Sequence, residues 1–175
     1  MAIECKNYDK NTKIKHTKEV LGEFILDKIF EQNNTHITIT LPNLLIHGGF
    51  FDRAEKLLSE QLSSLLPEGD GTVLVIGLGN REITPDAIGP LTMGRVIATR
   101  HISGELAKQM NLPQLHSVAV IAPSVLGTTG IEVAEIAAAL NGALNPRAII
   151  VVDALCAADI KRLRSEEHMN SSHAT

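Results

Sequence analysis

Residues 72–90 read TVLVIGLGNREITPDAIGP. An apolar run, 72–78, goes directly into a loop carrying Gly77 and Gly79 and then into Thr84-Pro85-Asp86. A near-continuous run of Val, Leu and Ile suits a strand buried on both faces, as parallel sheets require. The two glycines permit a sharp backbone turn at its end. Thr84 suits a helix N-cap and Pro85 the first helical position, so a helix is predicted from Thr84 to about His101. Asp86 then falls in the first helical turn, at the carboxyl end of a strand, the edge along which open α/β sheets bind ligands.

The same grammar repeats downstream. Residues 117–123, SVAVIAP, predict a second buried strand, and 130–144 an alanine-rich helix opened by a capping-box pattern at Thr129 and Glu132. Residues 148–154, AIIVVDA, predict a third buried strand ending at Asp153, followed by a short helix to about Arg164. Strands alternating with helices through short links imply an α/β fold with a mostly parallel sheet and helices on both faces, a three-layer arrangement. Upstream, Val20, Leu21, Phe24, Ile25 and Ile29 stand near helical spacing, so 18–31 reads as an amphipathic helix. HITITL, 36–41, alternates as a strand does, and 51–66 reads as a second amphipathic helix closed by Pro67. Residues 1–17 are polar and lysine-rich and are expected to be a flexible basic arm. A single domain is expected over 18–165, with 166–175 a disordered tail.

Bulk composition narrows the classes of function. Of 175 residues, 44% are hydrophobic and 21% charged, which is ordinary globular composition, and 3% aromatic content leaves the core to Ile, Leu, Val and Ala. A net charge of -4 gives no bulk attraction for nucleic acid, although 1–18 is locally basic. No apolar run is long enough to span a bilayer, and MAIECKNYDKNTK lacks the apolar segment of a secretory signal. Cys5 and Cys156 form no disulfide or metal-binding pattern, so a reducing cytoplasm is the expected compartment.

Three segments carry the chemistry. The loop after the first strand is neither a dinucleotide fingerprint, because Glu82 occupies the third glycine position, nor a phosphate-binding P-loop. Seen alone, Asp86 better suits a charge placed at a helix dipole than a catalytic group, and Asp153 suits an N-cap as well as it suits catalysis. Together they are two carboxylates at the ends of parallel strands. Such a pair can share a proton, one member deprotonating water while the other polarises a carbonyl or protonates a leaving nitrogen. Two carboxylates also suit a divalent cation, and spacing leaves both chemistries open. The third segment, 122–132, holds Ser124, Gly127 and Thr128 in a loop at a strand's carboxyl end whose amides suit the lining of a substrate cleft, while a plain strand-to-helix connection is the better account of its individual side chains. Ser124 lacks the context of a nucleophilic serine. His47, His101 and His116 are isolated from any metal-binding spacing.

Read together, GLGN (77–80), TPDAIGP (84–90), TRH (99–101), APSVLGTTGIE (122–132) and VDAL (152–155) resemble the germination protease family of spore-forming bacteria. The resemblance spans about residues 70–160. It implies an α/β fold of the hydrogenase maturation protease type, with a phosphorylase/hydrolase-like layering. It also implies an atypical aspartic endopeptidase that is made as a zymogen, assembles as a homotetramer and degrades small acid-soluble spore proteins in the spore core or forespore. On this resemblance Asp86 and Asp153 are the catalytic pair, and Gly77, Gly79, Asn80, Ser124, Gly127 and Thr128 shape the substrate cleft. No cofactor, resident metal, membrane or direct nucleic-acid partner is expected. The sequence lacks the family's TDLAxE-like and TGIHPG-like segments. A truncated chain or short paralogue is therefore expected, and a non-catalytic binding or assembly module is the alternative function. A metal-dependent maturation-type protease is a further alternative.

Overall fold

The computed structural model describes residues 2–3, 14–31, 34–41, 49–102, 104–109, 111 and 115–154. The chain is mixed α/β, with one antiparallel and one parallel sheet. It groups into two compact units, one within Met1–Leu65 and one spanning Leu66–Cys156.

The first unit holds strands β1 (Ala2–Ile3), β2 (Ile14–Leu21), β3 (Phe24–Glu31) and β4 (Asn34–Thr40), in that order across an antiparallel sheet, and helix α1 (Phe50–Leu65). The helix expected over 18–31 is instead a β-hairpin, with Leu21 paired to Phe24 and Ile14 to Glu31. Its two-residue loop places Gly22 at φ +64°, the left-handed backbone that tight hairpin loops demand at their first position. Phe24 and Leu26 alternate inward along β3 and pack with Phe50 and Leu57 of α1, flanked by Ile37, Ile39, Leu41 and Ala54. Burying Phe24 and Leu26 on one face requires a period of two, and this tertiary demand overrides the local helical spacing. The basic arm expected over 1–17 contributes strand residues at both ends, Ala2 pairing with Glu19 and Ile14 with Glu31. The strand at 36–41 and the helix at 51–66 are found close to their expected bounds.

The second unit is built on the parallel sheet β6 (Val118–Ile121), β5 (Val73–Gly77), β7 (Ala148–Val152), with β5 in the middle. All five residues of β5 are buried, as its uninterrupted apolar run predicts. One face of the sheet carries Val73 and Val75, which pack with Met93 of helix α2 (Ile88–Met93) and with Val96, Val118, Val120, Ile150 and Val152. Leu74 and Ile76 face the other way and are 1% and 2% exposed. The expected burial of β7 on both faces is corrected. Among the described residues it is an edge strand, and Ile149 and Val151 are 42% and 53% exposed while their neighbours turn inward.

The helical segments are shorter than their periodicity suggests. In place of one helix from Thr84 to His101, a 3-10 turn (Thr84–Asp86) precedes α2, which stops at Gly94. The chain beyond is claimed by the sheet. The Thr99 and Arg100 amides both donate to the Val118 carbonyl at 3.0 Å, and a backbone bonded to a strand edge cannot continue a helix. Thr84 is the first residue of the turn rather than its cap, which is Ile83. Helix α3 (Gly104–Gln109) is one that the sequence pattern does not announce. The alanine-rich helix expected over 130–144 is found as α5 (Val133–Leu144), and a separate short helix, α4 (Leu126–Thr129), precedes it, with Gly130 at φ +69° between them. The capping box therefore lies three residues later than expected, with Glu132 as N-cap donating its amide to the Glu135 carboxylate at 3.0 Å. Thr129 instead holds the intervening turn, its Oγ1 accepting from the Ile131 amide at 3.2 Å. The short helix expected after Asp153 and the tail at 166–175 lie outside the described residues.

Candidate active site

Strand order decides which loops meet. The chain leaves β5 for β6 on one side and returns across to β7 on the other. All three strands are parallel, so the loops after β5, β6 and β7 emerge at one edge. The loops after β5 and β7 are immediate neighbours: Gly77 pairs with Val152, and the Leu78 amide donates to the Val152 carbonyl at 2.9 Å. Asp86 follows the first of these strands by way of the loop, and Asp153 directly follows the second.

The loop from Leu78 to Asp86 is closed by its own backbone groups. Asn80 Oδ1 accepts the Glu82 amide at 3.0 Å, and the Asn80 carbonyl accepts the Ile83 amide at 3.1 Å. This is the turn that an asparagine side chain favours by standing in for a backbone carbonyl. The Asp86 amide then donates to the Ile83 carbonyl at 2.8 Å, starting the 3-10 turn. The half-buried Asp86 carboxylate folds back, and its Oδ2 accepts the Asn80 amide at 2.7 Å. A backbone N–H aimed at a carboxylate is a charge-assisted hydrogen bond, stronger than its neutral counterpart.

Two glycines make this closure possible. Gly79 has φ +111°, and a Cβ there would lie 2.1 Å from the Asp86 carbonyl oxygen and 2.9 Å from its Oδ1. Gly89, in the first turn of α2, has no room either. A Cβ would lie 2.1 Å from the Leu78 carbonyl oxygen and 2.7 Å from that of Val152. Helix α2 therefore rests its backbone directly on the hydrogen bond that joins the ends of β5 and β7.

Asp153 is exposed, and its Oδ1 accepts the Ala154 amide at 2.8 Å. Ser124, Gly127 and Thr128 follow β6, at the same edge of the sheet but on the opposite flank of β5 from β7. Ser124 is half-buried at φ +69°, a left-handed backbone uncommon outside glycine, asparagine and aspartate. The Thr128 amide donates to Val125 at 2.9 Å, and Gly127 is exposed with open space around its Cα. Thus Gly77, Gly79, Asn80 and Asp86 form one compact loop, Asp153 adjoins it across the β5–β7 ladder, and the Ser124 loop stands apart on the β6 side.

Against this frame, a family profile described as germination protease matches residues 4–172. The chain belongs to the germination protease family. It is 32% identical over 154 residues to a germination protease of Clostridium acetobutylicum, covering 85% of this chain and 47% of that one. A germination protease of Caldanaerobacter subterraneus subsp. tengcongensis is 38% identical over 130 residues, covering 73% of this chain and 40% of its own length. One from a Geobacillus species is 41% identical over 142 residues, covering 78% and 38% respectively. The chain spans about half the length of such relatives, 47% and 50% for the first two.

Within the part of the germination protease family fold seen here, Gly89 and Thr99 are residues that sequence reasoning did not single out. The signal for Gly89 was its place beside Pro90 inside a helix start, where a glycine is unfavourable unless something packs against it. Thr99 is buried at the outer edge of β6, where its hydroxyl donates to the His116 carbonyl at 2.5 Å and accepts the Val118 amide at 3.0 Å. Among the described residues no three His, Cys, Asp or Glu side chains are grouped to hold a metal ion. No described helix is long and apolar enough to cross a membrane.

Proposed function

We propose that this chain is an endopeptidase core of the germination protease type in which Asp86 and Asp153 activate water against a peptide bond. The observation that carries the proposal is the adjacency of the two acid-bearing loops at the carboxyl ends of hydrogen-bonded parallel strands, with Gly77 in register with Val152. Two carboxylates on neighbouring strand ends can divide one proton between them. The ionised member takes a proton from water as the water oxygen bonds to the carbonyl carbon. The protonated member delivers its proton to the amide nitrogen as the carbon–nitrogen bond breaks. The Ser124–Thr128 loop lines the far side of the cleft and aligns an extended substrate backbone.

The wider family expectations are part of the same proposal. The substrates are small acid-soluble spore proteins, the compartment is the spore core or forespore, and the working form is a homo-oligomer. A three-layer fold of the hydrogenase maturation protease type is supported by the parallel sheet β6-β5-β7 and by α2 packed on one of its faces.

The test is incubation of the purified chain with a small acid-soluble spore protein, with fragments read by mass spectrometry. Asp86→Asn and Asp153→Asn are each expected to lower kcat by about 10²- to 10⁴-fold while the fold persists by circular dichroism. Undiminished cleavage by either variant ends the two-aspartate mechanism.

A further inference from the structure

We propose that Gly79, Asn80 and Gly89 are positioning residues that set where Asp86 stands relative to the strand end bearing Asp153. The inference rests on the acid-pair reading above and adds to it the parts that fix the pair's geometry. Three observations converge. The Asn80 amide holds Asp86 Oδ2 at 2.7 Å, so the carboxylate is oriented by backbone rather than by a mobile side chain. That amide is itself held in place, because Asn80 Oδ1 and carbonyl oxygen accept the Glu82 and Ile83 amides. The Asn80 side-chain oxygen thus serves the loop. Gly79 lets the Asp86 backbone and carboxylate lie against its Cα, a position any side chain would fill.

Gly89 supplies the link to the second acid. It lies three residues after Asp86, and its Cα sits over the Leu78–Val152 hydrogen bond, one residue before Asp153. The distance between α2 and the end of β7 is set by contact with no side chain between them. A methyl group at position 89 would meet the Leu78 carbonyl oxygen at 2.1 Å, and backbone atoms have no rotamer by which to yield. The helix start carrying Asp86 would therefore be pushed off the strand end carrying Asp153. Misplacement of a reacting group by about 1 Å costs on the order of 100-fold in rate.

Two arms test the frame. In the first, the Asn80 amide proton is followed by NMR across an acid titration of the folded protein. The resonance is expected to move with ionisation of Asp86 and to lose that movement in Asp86→Asn. In the second, Asn80→Ala is expected to lower kcat about 10- to 100-fold with KM little changed, and Asn80→Ser to restore part of the loss. Gly89→Ala is expected to lose about 100-fold. Gly142→Ala, in open space on α5, provides the matched control and keeps full turnover. An Asn80 amide that ignores the titration, or a folded Gly89→Ala with the turnover of Gly142→Ala, overturns the proposal. If Gly89→Ala does not fold, the amide titration and the Asn80 variants decide. If Asp86→Asn cleaves normally, the acid-pair reading falls even where the amide titration confirms the clamp, so the two failures are told apart.

Discussion

Thr99 belongs to a segment shared with the family resemblance, yet its surroundings assign it to stability, and Thr99→Val separates the two roles. The side chain is 9% exposed, and its Oγ1 both donates to the His116 carbonyl and accepts the Val118 amide. Valine preserves the shape and deletes both bonds. His116 is exposed, so its carbonyl can recover a water, and that half of the loss is small. The Val118 amide is at the start of β6 on the edge away from β5, and among the described residues it has no second acceptor once the hydroxyl is gone. An orphaned donor of this kind costs about 1–3 kcal/mol, and the extra apolar methyl returns less than about 1 kcal/mol. The net expectation is a loss of about 1–2 kcal/mol. For a chain of 175 residues that corresponds to a fall in Tm of about 2–8 °C. Thr99→Ser keeps both bonds, loses one methyl group, and should cost about 0.5–1.5 kcal/mol. The assay is urea denaturation followed by far-ultraviolet circular dichroism, with thermal melts alongside. If Thr99→Val is as stable as the wild type, the hydroxyl does not hold the edge of β6 and the reasoning fails.

Two further outcomes test the first unit. Phe50 is 2% exposed, with its ring centroid 5.3 Å from that of Phe24, so Phe50→Ala should destabilise by about 3–5 kcal/mol in denaturant titration. The Arg53 guanidinium bonded to Glu23 holds that carboxyl below its ordinary value of 4.5. A carboxyl lowered in the folded state adds stability above its unfolded value and loses it as pH falls through the folded one. The stability difference between wild type and Arg53→Ala should therefore be present at neutral pH and vanish in acid. The pair is exposed, so the difference will be small and should shrink with added salt. Urea midpoints measured across pH check this, and a difference that grows in acid would contradict it.

Much of the second unit was legible because its signals are local. An apolar run such as 73–77 can be satisfied only by burial on both faces, and β5 is found there with every residue buried. Its ending was legible too, since Gly77, Gly79 and Pro85 punctuate the chain whatever the tertiary context. The first unit was not legible in this way. Val20, Leu21, Phe24, Ile25 and Ile29 satisfy a helical repeat and a pair of strands equally well. The deciding residue, Gly22, reads as a modest defect in a helix or as the first residue of a tight hairpin loop. Similarly, AIIVV looks like β5 in isolation, but edge strands and central strands share composition and differ only in neighbours.

The candidate site divides along the same line. Its residues, Asp86 and Asp153 at strand ends and the glycines between, could be named from the chain alone, because strand ends, tight turns and first helical turns have local chemical signatures. The family resemblance came from the same short motifs. What depended on three dimensions was the order β6-β5-β7 that makes the two acidic loops neighbours, the return of the Asp86 carboxylate to the Asn80 amide, and the seating of Gly89 on the Leu78–Val152 bond. Strand order and backbone-to-backbone contact are settled by pairings between residues far apart in the chain. No pattern of period two or 3.6 encodes which partners those will be.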